Sequence, residues 1–190
     1  MRMKKFFYFI LLLSVPHSGL LAQVGGLPAM DKSALDISYH PSNYPILKIQ
    51  DKTKEPLIAR VIYSRPLKAG RSILGDLVEY GVVWRLGANE ATELELFRDA
   101  KIGSTPVKKG RYTLYAIPEK DKWTFIVNRE TDTWGAFKYN SAKDIARITV
   151  KPEKQTSITE AFTMYFEKSG SLINLLIMWD DFKVKVPLTL

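Results

Sequence analysis

The chain has 190 residues, a formal net charge of +8, eleven glycines, ten prolines and no cysteine. Without cysteine and with only two histidines, disulfide scaffolds and the usual zinc sites are excluded. A chain of this length forms one domain and buries roughly two-thirds of the surface its unfolded form exposes, so an ordinary apolar core suffices.

Arg2, Lys4 and Lys5 precede a mostly apolar stretch, Phe6–Val15, and Leu20-Leu21-Ala22 ends on a small residue before Gln23. This pattern reads as a secretory signal peptide over residues 1–22, with an apolar part too short to span a bilayer comfortably. Its removal leaves 168 residues (190 − 22) and lowers the charge from +8 to +5, because three lysine or arginine residues leave with it. Nucleic acid is a poor partner for an exported protein. A mild positive excess suits anionic envelope polymers instead.

Residues 23–34, QVGGLPAMDKSA, read as a flexible leader before a single domain over 35–190. Leu35, Ile37 and Tyr39 alternate with polar neighbours, as in an edge strand, and Pro41, Pro45 and Pro56 disfavour a long helix after it. From Ile58 onward the period is two. In ATELELF, Leu94 and Leu96 oppose Glu93 and Glu95, the signature of a half-buried antiparallel strand. GRYTLYAIP and KWTFIVN, joined by a polar turn, form a hairpin, and DIARITVKP supplies another strand after a helical turn at SAKD. AFTMYFEK turns at Ser169-Gly170-Ser171 into LINLLIMW, which is apolar on both faces and therefore central. Asp180-Asp181 reads as a further turn into FKVKVPLTL, with Val184, Val186 and Leu188 inward and Pro187 marking an edge. About nine short strands imply an all-β fold, an antiparallel two-sheet β-sandwich.

Catalytic chemistry is sparse. Once His17 leaves with the signal peptide, His40 is the remaining histidine, expected at the surface. The stretch GRSILG lacks the spacing of a nucleophile elbow. ETDTWG, residues 130–135, begins like a calcium loop but puts Trp134 where an oxygen ligand belongs, so it reads as a turn. No phosphate-binding glycine motif is present, and no metal or cofactor is implied. Glu93 and Glu95 lie roughly 6.5–7 Å apart along one strand. That is near the separation used by inverting glycosidases, but their alternation with leucine puts them on a solvated face. Asp180 and Asp181, being adjacent, point to opposite faces.

What remains is aromatic and basic. Trp123 and Trp179 lie in apolar runs and are expected in the core, as, on balance, is Trp84. Trp134, in DTWGAFKYN beside Lys138 and Tyr139, is a loop tryptophan placed to stack on a sugar or to anchor a partner. Arg65, Arg71 and Arg85 gather at turns, where a planar guanidinium can read carboxylate or phosphate in a fork. Gly87 and Asn89 mark LGANEA as a chain reversal between strands ending near Arg85 and starting near Thr92. Two accounts of it are open: Arg85 and Glu90 clamp a turn, or Arg85, Asn89 and Glu90 form a polar pocket lip beside Trp84. The candidate ligand-binding residues are therefore Arg65, Arg71, Trp84, Arg85, Asn89, Glu90, Trp134 and Lys138.

ARVIYSRP, GRSILGDLVEYGVVWRLGANEAT, KKGRYTLYAIP, KWTFIVN and WGAFKY together resemble the domain of unknown function 2911 family, exported proteins of Gram-negative bacteria. The resemblance runs from about Leu35 to Leu190, and its WR-x-GANEAT block falls on Trp84, Arg85 and Gly87 through Thr92. It implies an exported address and carries over no catalytic residue. The leading functional expectation is non-enzymatic binding of a glycan-like or anionic envelope ligand. Two alternatives are a carbohydrate hydrolase pairing Glu90 with Asp132 or Asp180, and a protein-interaction module using the edge strands Leu35–Tyr39 or Val184–Leu190.

Overall fold

Period-two patterning makes strands, and a chain of strands must bury one face of each sheet against another. A computed structural model of the protein describes residues 29–190; the expected signal peptide and the start of the leader lie outside the described residues. It is a two-sheet antiparallel sandwich. The larger sheet has the order β1 (Leu35–His40), β2 (Ala59–Ser64), β3 (Glu93–Leu96), β6 (Gly110–Pro118), β7 (Trp123–Asn128) and β8 (Asp144–Val150). The smaller sheet runs β5 (Thr105–Val107), β4 (Ala100–Ile102), β10 (Leu172–Thr189), β9 (Glu153–Ser169). One short helix, α1 (Tyr44–Ile49), starts with Pro45 in its first turn, where a missing N–H costs nothing. Among the described residues no helix is long and apolar enough to cross a membrane.

Most strand expectations hold. β1 is an edge strand, β6 and β7 form the expected hairpin from Thr113↔Asn128 to Pro118↔Trp123, and a 3-10 turn covers Ser141–Lys143. On β3, Glu93 and Glu95 face outward and pair across the sheet with Arg111 (2.7 Å) and Arg60 (2.6 Å). The structure adds the β4–β5 hairpin, whose three-residue strands are too short to show a period.

Three expectations are corrected. Asp180-Asp181 is not a turn but a β-bulge within β10, with Asp180 at φ 51° and the pairing with β9 shifting register there. An extra residue flips parity: the core positions are Ile173, Leu175, Ile177 and Trp179 before the bulge, and Phe182, Val184, Val186 and Leu188 after it. The second correction concerns His40, which is buried against Phe166, with ring centroids 6.2 Å apart. Burial, aided by the charge of Lys168 and opposed by Glu55, lowers its pKa below the ordinary histidine value.

The third correction concerns the strand expected before LGANEA. Only Trp84 pairs there, in a single bridge to Ala116. Residues 65–92 are instead a long connection between β2 and β3 whose apolar side chains, Ile73, Val78, Trp84 and Leu86, enter the core. Trp84 stacks on Trp179 of β10 (6.1 Å, 16°) and meets Trp123 of β7 and Phe162 of β9 edge-on. It therefore fills the space between the two sheets and anchors the connection in the core.

Candidate functional site

The candidate residues divide among separate places. Arg65, at the end of β2, is a structural rivet. It pairs with Asp36 on β1 (3.0 Å) and donates to the Phe162 carbonyl (3.2 Å) and the Thr163 hydroxyl (3.1 Å) on β9, joining the two sheets. Arg71 donates from Nε to the Lys68 carbonyl (3.0 Å) and from Nη2 to the Leu67 carbonyl (2.5 Å), bracing its own turn. Trp84 is core, and its indole N–H donates to the Gly87 carbonyl (3.1 Å).

The Arg85–Glu90 clamp does not form: Glu90 is exposed, and Arg85 finds no carboxylate partner among the described residues. Thr92 closes the turn instead. Fully buried, it donates its hydroxyl to the Leu86 carbonyl and its N–H to the Arg85 carbonyl (3.1 Å). Sequence reading passed over Thr92, although a threonine directly after a turn, able to bond back to it, was a usable signal. Gly87 is required where it stands. Its φ is 145°, and a Cβ there would lie 3.0 Å from the Ser64 carbonyl oxygen.

Asn89 and Glu90 connect the turn to the second region. The Asn89 carbonyl accepts from the Gly135 N–H (3.0 Å), the Ala91 N–H donates to the Thr133 carbonyl (3.0 Å), and Glu90 forms a bridge with Trp134. The Asn89 amide donates to Asp31 (2.8 Å). The loop between β7 and β8 is thus stitched to the LGANEA turn. Beneath it, Ala91, Tyr115 and Ile126 form a small second core with Ala136 and Tyr139 packed against them. Tyr115 and Tyr139 meet edge-on at 5.2 Å, and the Tyr139 hydroxyl donates to Asp144 (2.7 Å).

With its base held in this way, the loop borders a cleft of about 580 Å³. Trp134 (61% exposed) and Phe137 (85% exposed) stand on its rim, and Lys138, Asn140 and Lys143 supply polar groups. Lys143 pairs with Glu130. Asp132 pairs with Arg111 (2.8 Å), which holds its carboxyl below the usual range. Of the candidates, then, Trp134 and Lys138 share this cleft, whereas Arg71, Trp84 and Arg85 line a different cavity of about 210 Å³. Phe137 was missed as a site residue; only its exposure in the fold distinguishes it from a core phenylalanine.

In each carboxylate pair proposed for hydrolysis, the partner of Glu90 is held by a basic side chain. Asp132 is held by Arg111, and Asp180 pairs with Lys68 (2.9 Å) in another part of the surface. A glycosidase acid needs a raised pKa to carry a proton at neutral pH, and the pairing of Asp132 pushes the opposite way.

A family model described as "Protein of unknown function (DUF2911)" matches residues 46–188, and no curated protein or solved structure matches the chain. Of the ten described strands the matched span takes in β2 to β9 whole and β10 up to Leu188, with the turn and the aromatic loop, and β1 falls before it. The chain therefore belongs to the DUF2911 family.

Proposed function

We propose that the protein is an exported, non-enzymatic binding protein whose cleft beside Trp134 takes a glycan-like ligand of the cell envelope. The observation that carries this reading is the pair of exposed aromatic side chains, Trp134 and Phe137, on the rim of a preformed cleft. Large exposed aromatics cost solvation and are retained where they meet a partner. A sugar ring offers them an apolar C–H face, while its hydroxyls suit Asn140 and Lys138. Lys138, the lining lysine without an ion pair among the described residues, extends the reading to acidic glycans. Export rests on the basic and apolar pattern of residues 1–22.

The test is calorimetric titration with neutral oligosaccharides, acidic oligosaccharides and peptidoglycan fragments, with Trp134→Ala beside the wild type. Binding by the wild type that weakens roughly tenfold or more in the variant, as expected for a central aromatic anchor, supports the proposal. A panel without heat, or equal binding by both proteins, refutes it. Release of shorter sugars on prolonged incubation, lost in Asp132→Asn, would revive the hydrolase alternative.

A further inference from the structure

The second cavity has different chemistry. Arg85 is half-buried, its Nε is shielded from water without a hydrogen-bond partner, and desolvation alone acts on its charge. Taking a guanidinium partly out of water without a counter-charge is costly, and proteins ordinarily supply a carboxylate. Here none does among the described residues. The cavity is lined instead by a second arginine, Arg71, and by an apolar wall of Leu77, Val78, Trp84 and Trp179. Among the described residues no acidic side chain lines it.

The two guanidinium groups are differently prepared. Arg71 is fixed by its bonds to the Lys68 and Leu67 carbonyls, which use Nε and Nη2 and leave Nη1 uncommitted. Arg85 has its whole fork uncommitted to any described carboxylate. Trp84 and Trp179, stacked on each other and anchored in the core, make the wall rigid. A volume of about 210 Å³ is smaller than the sites that take drug-sized ligands. It excludes a polymer.

We propose that this cavity is a second binding site, for the oxyanion head of a small molecule with an apolar body. A carboxylate or a phosphate ester would bond to the Arg85 fork with help from Arg71, and the body would lie against Trp84 and Trp179. A fork geometry favours both anions and gives nothing to a neutral amide. The site shares no lining residue with the Trp134 cleft, so it stands or falls separately from the glycan reading.

The test uses the purified protein with sodium butyrate, methyl phosphate and butyramide, with sodium chloride holding ionic strength constant. The indole N–H resonances of Trp84 and Trp179 report by NMR, and Trp134 serves as the remote control. The expected result is saturable shifts of the two core indoles with butyrate or methyl phosphate but not butyramide, unchanged in Trp134→Ala. Whichever anion binds more tightly identifies the headgroup. Arg85→Gln should weaken binding roughly tenfold or more. Arg71→Gln, at a surface turn, should weaken it less and remain folded should Arg85→Gln not fold. Absence of shifts with both anions, equal binding of butyramide, or full binding in both arginine variants would overturn the proposal.

Discussion

Thr92→Val separates the two accounts of what closes the LGANEA turn. The substitution keeps shape and removes one hydroxyl, leaving the Leu86 carbonyl without its donor in a fully buried setting. An unsatisfied buried acceptor costs about 1–3 kcal/mol. Leu86 sits at φ 55°, a left-handed conformation that itself costs roughly 1–2 kcal/mol, and relaxation of that strain offsets part of the loss. The net expectation is a destabilisation of about 1–2 kcal/mol, or about 2–8 °C in melting temperature for a domain of this size. Urea denaturation gives the cleaner reading: the midpoint should fall while the slope stays constant, because the surface exposed on unfolding is unchanged. Glu90→Gln, at an exposed position without an ion pair to Arg85, should stay within about 0.5 kcal/mol of the wild type. The reasoning is refuted if Glu90→Gln destabilises as much as Thr92→Val, or if Thr92→Val leaves the midpoint in place.

Gly87→Ala should cost roughly 1–3 kcal/mol, since it combines a forbidden φ with a contact against the Ser64 carbonyl; a denaturation midpoint equal to the wild type would contradict this. Trp134→Ala, by contrast, removes an exposed side chain and should change stability by no more than about 0.5 kcal/mol, so any lost binding is a loss of contact; a large fall in melting temperature would show that the loop depends on the ring. For His40, the folded-state pKa is lowered by burial, so the unfolded chain takes up the proton first. Its contribution to stability is present above the unfolded value of about 6.5 and is lost as pH falls from there through the folded-state pKa. Stability of the wild type should decline over that window more steeply than that of His40→Leu, as measured by urea melts at a series of pH values; parallel profiles would remove His40 from the acid response.

The sandwich was legible because alternation is a local property. Leu94 and Leu96 against Glu93 and Glu95 declare both a strand and its inward face, and the structure pairs those glutamates with Arg111 and Arg60 on the solvated side. The bulge at Asp180 was half legible: the parity change between Trp179 and Phe182 is visible in the chain, but whether it marks a reversal or an inserted residue depends on β9 continuing alongside. His40 was misjudged for a similar reason. A lone histidine among prolines gives no local sign of being buried, and Phe166, the ring it packs against, lies far along the chain.

The candidate site shows the same division more sharply. Residue chemistry singled out Trp134, Lys138, Arg71 and Arg85, because a loop tryptophan and turn-borne arginines are visible without coordinates. It treated them as one group. Tertiary structure assigned Arg65 to a rivet between sheets, Trp134 to an open cleft and Arg85 to a small cavity with a tryptophan wall. Composition and periodicity determined by themselves that the chain is a cysteine-free antiparallel sandwich with few groups suited to catalysis. Which arginine is spent on structure and which lacks a partner was decided only by the fold. Arg65 finds its β9 partners 97 and 98 residues along the chain, and no local pattern records whether such a partner has arrived.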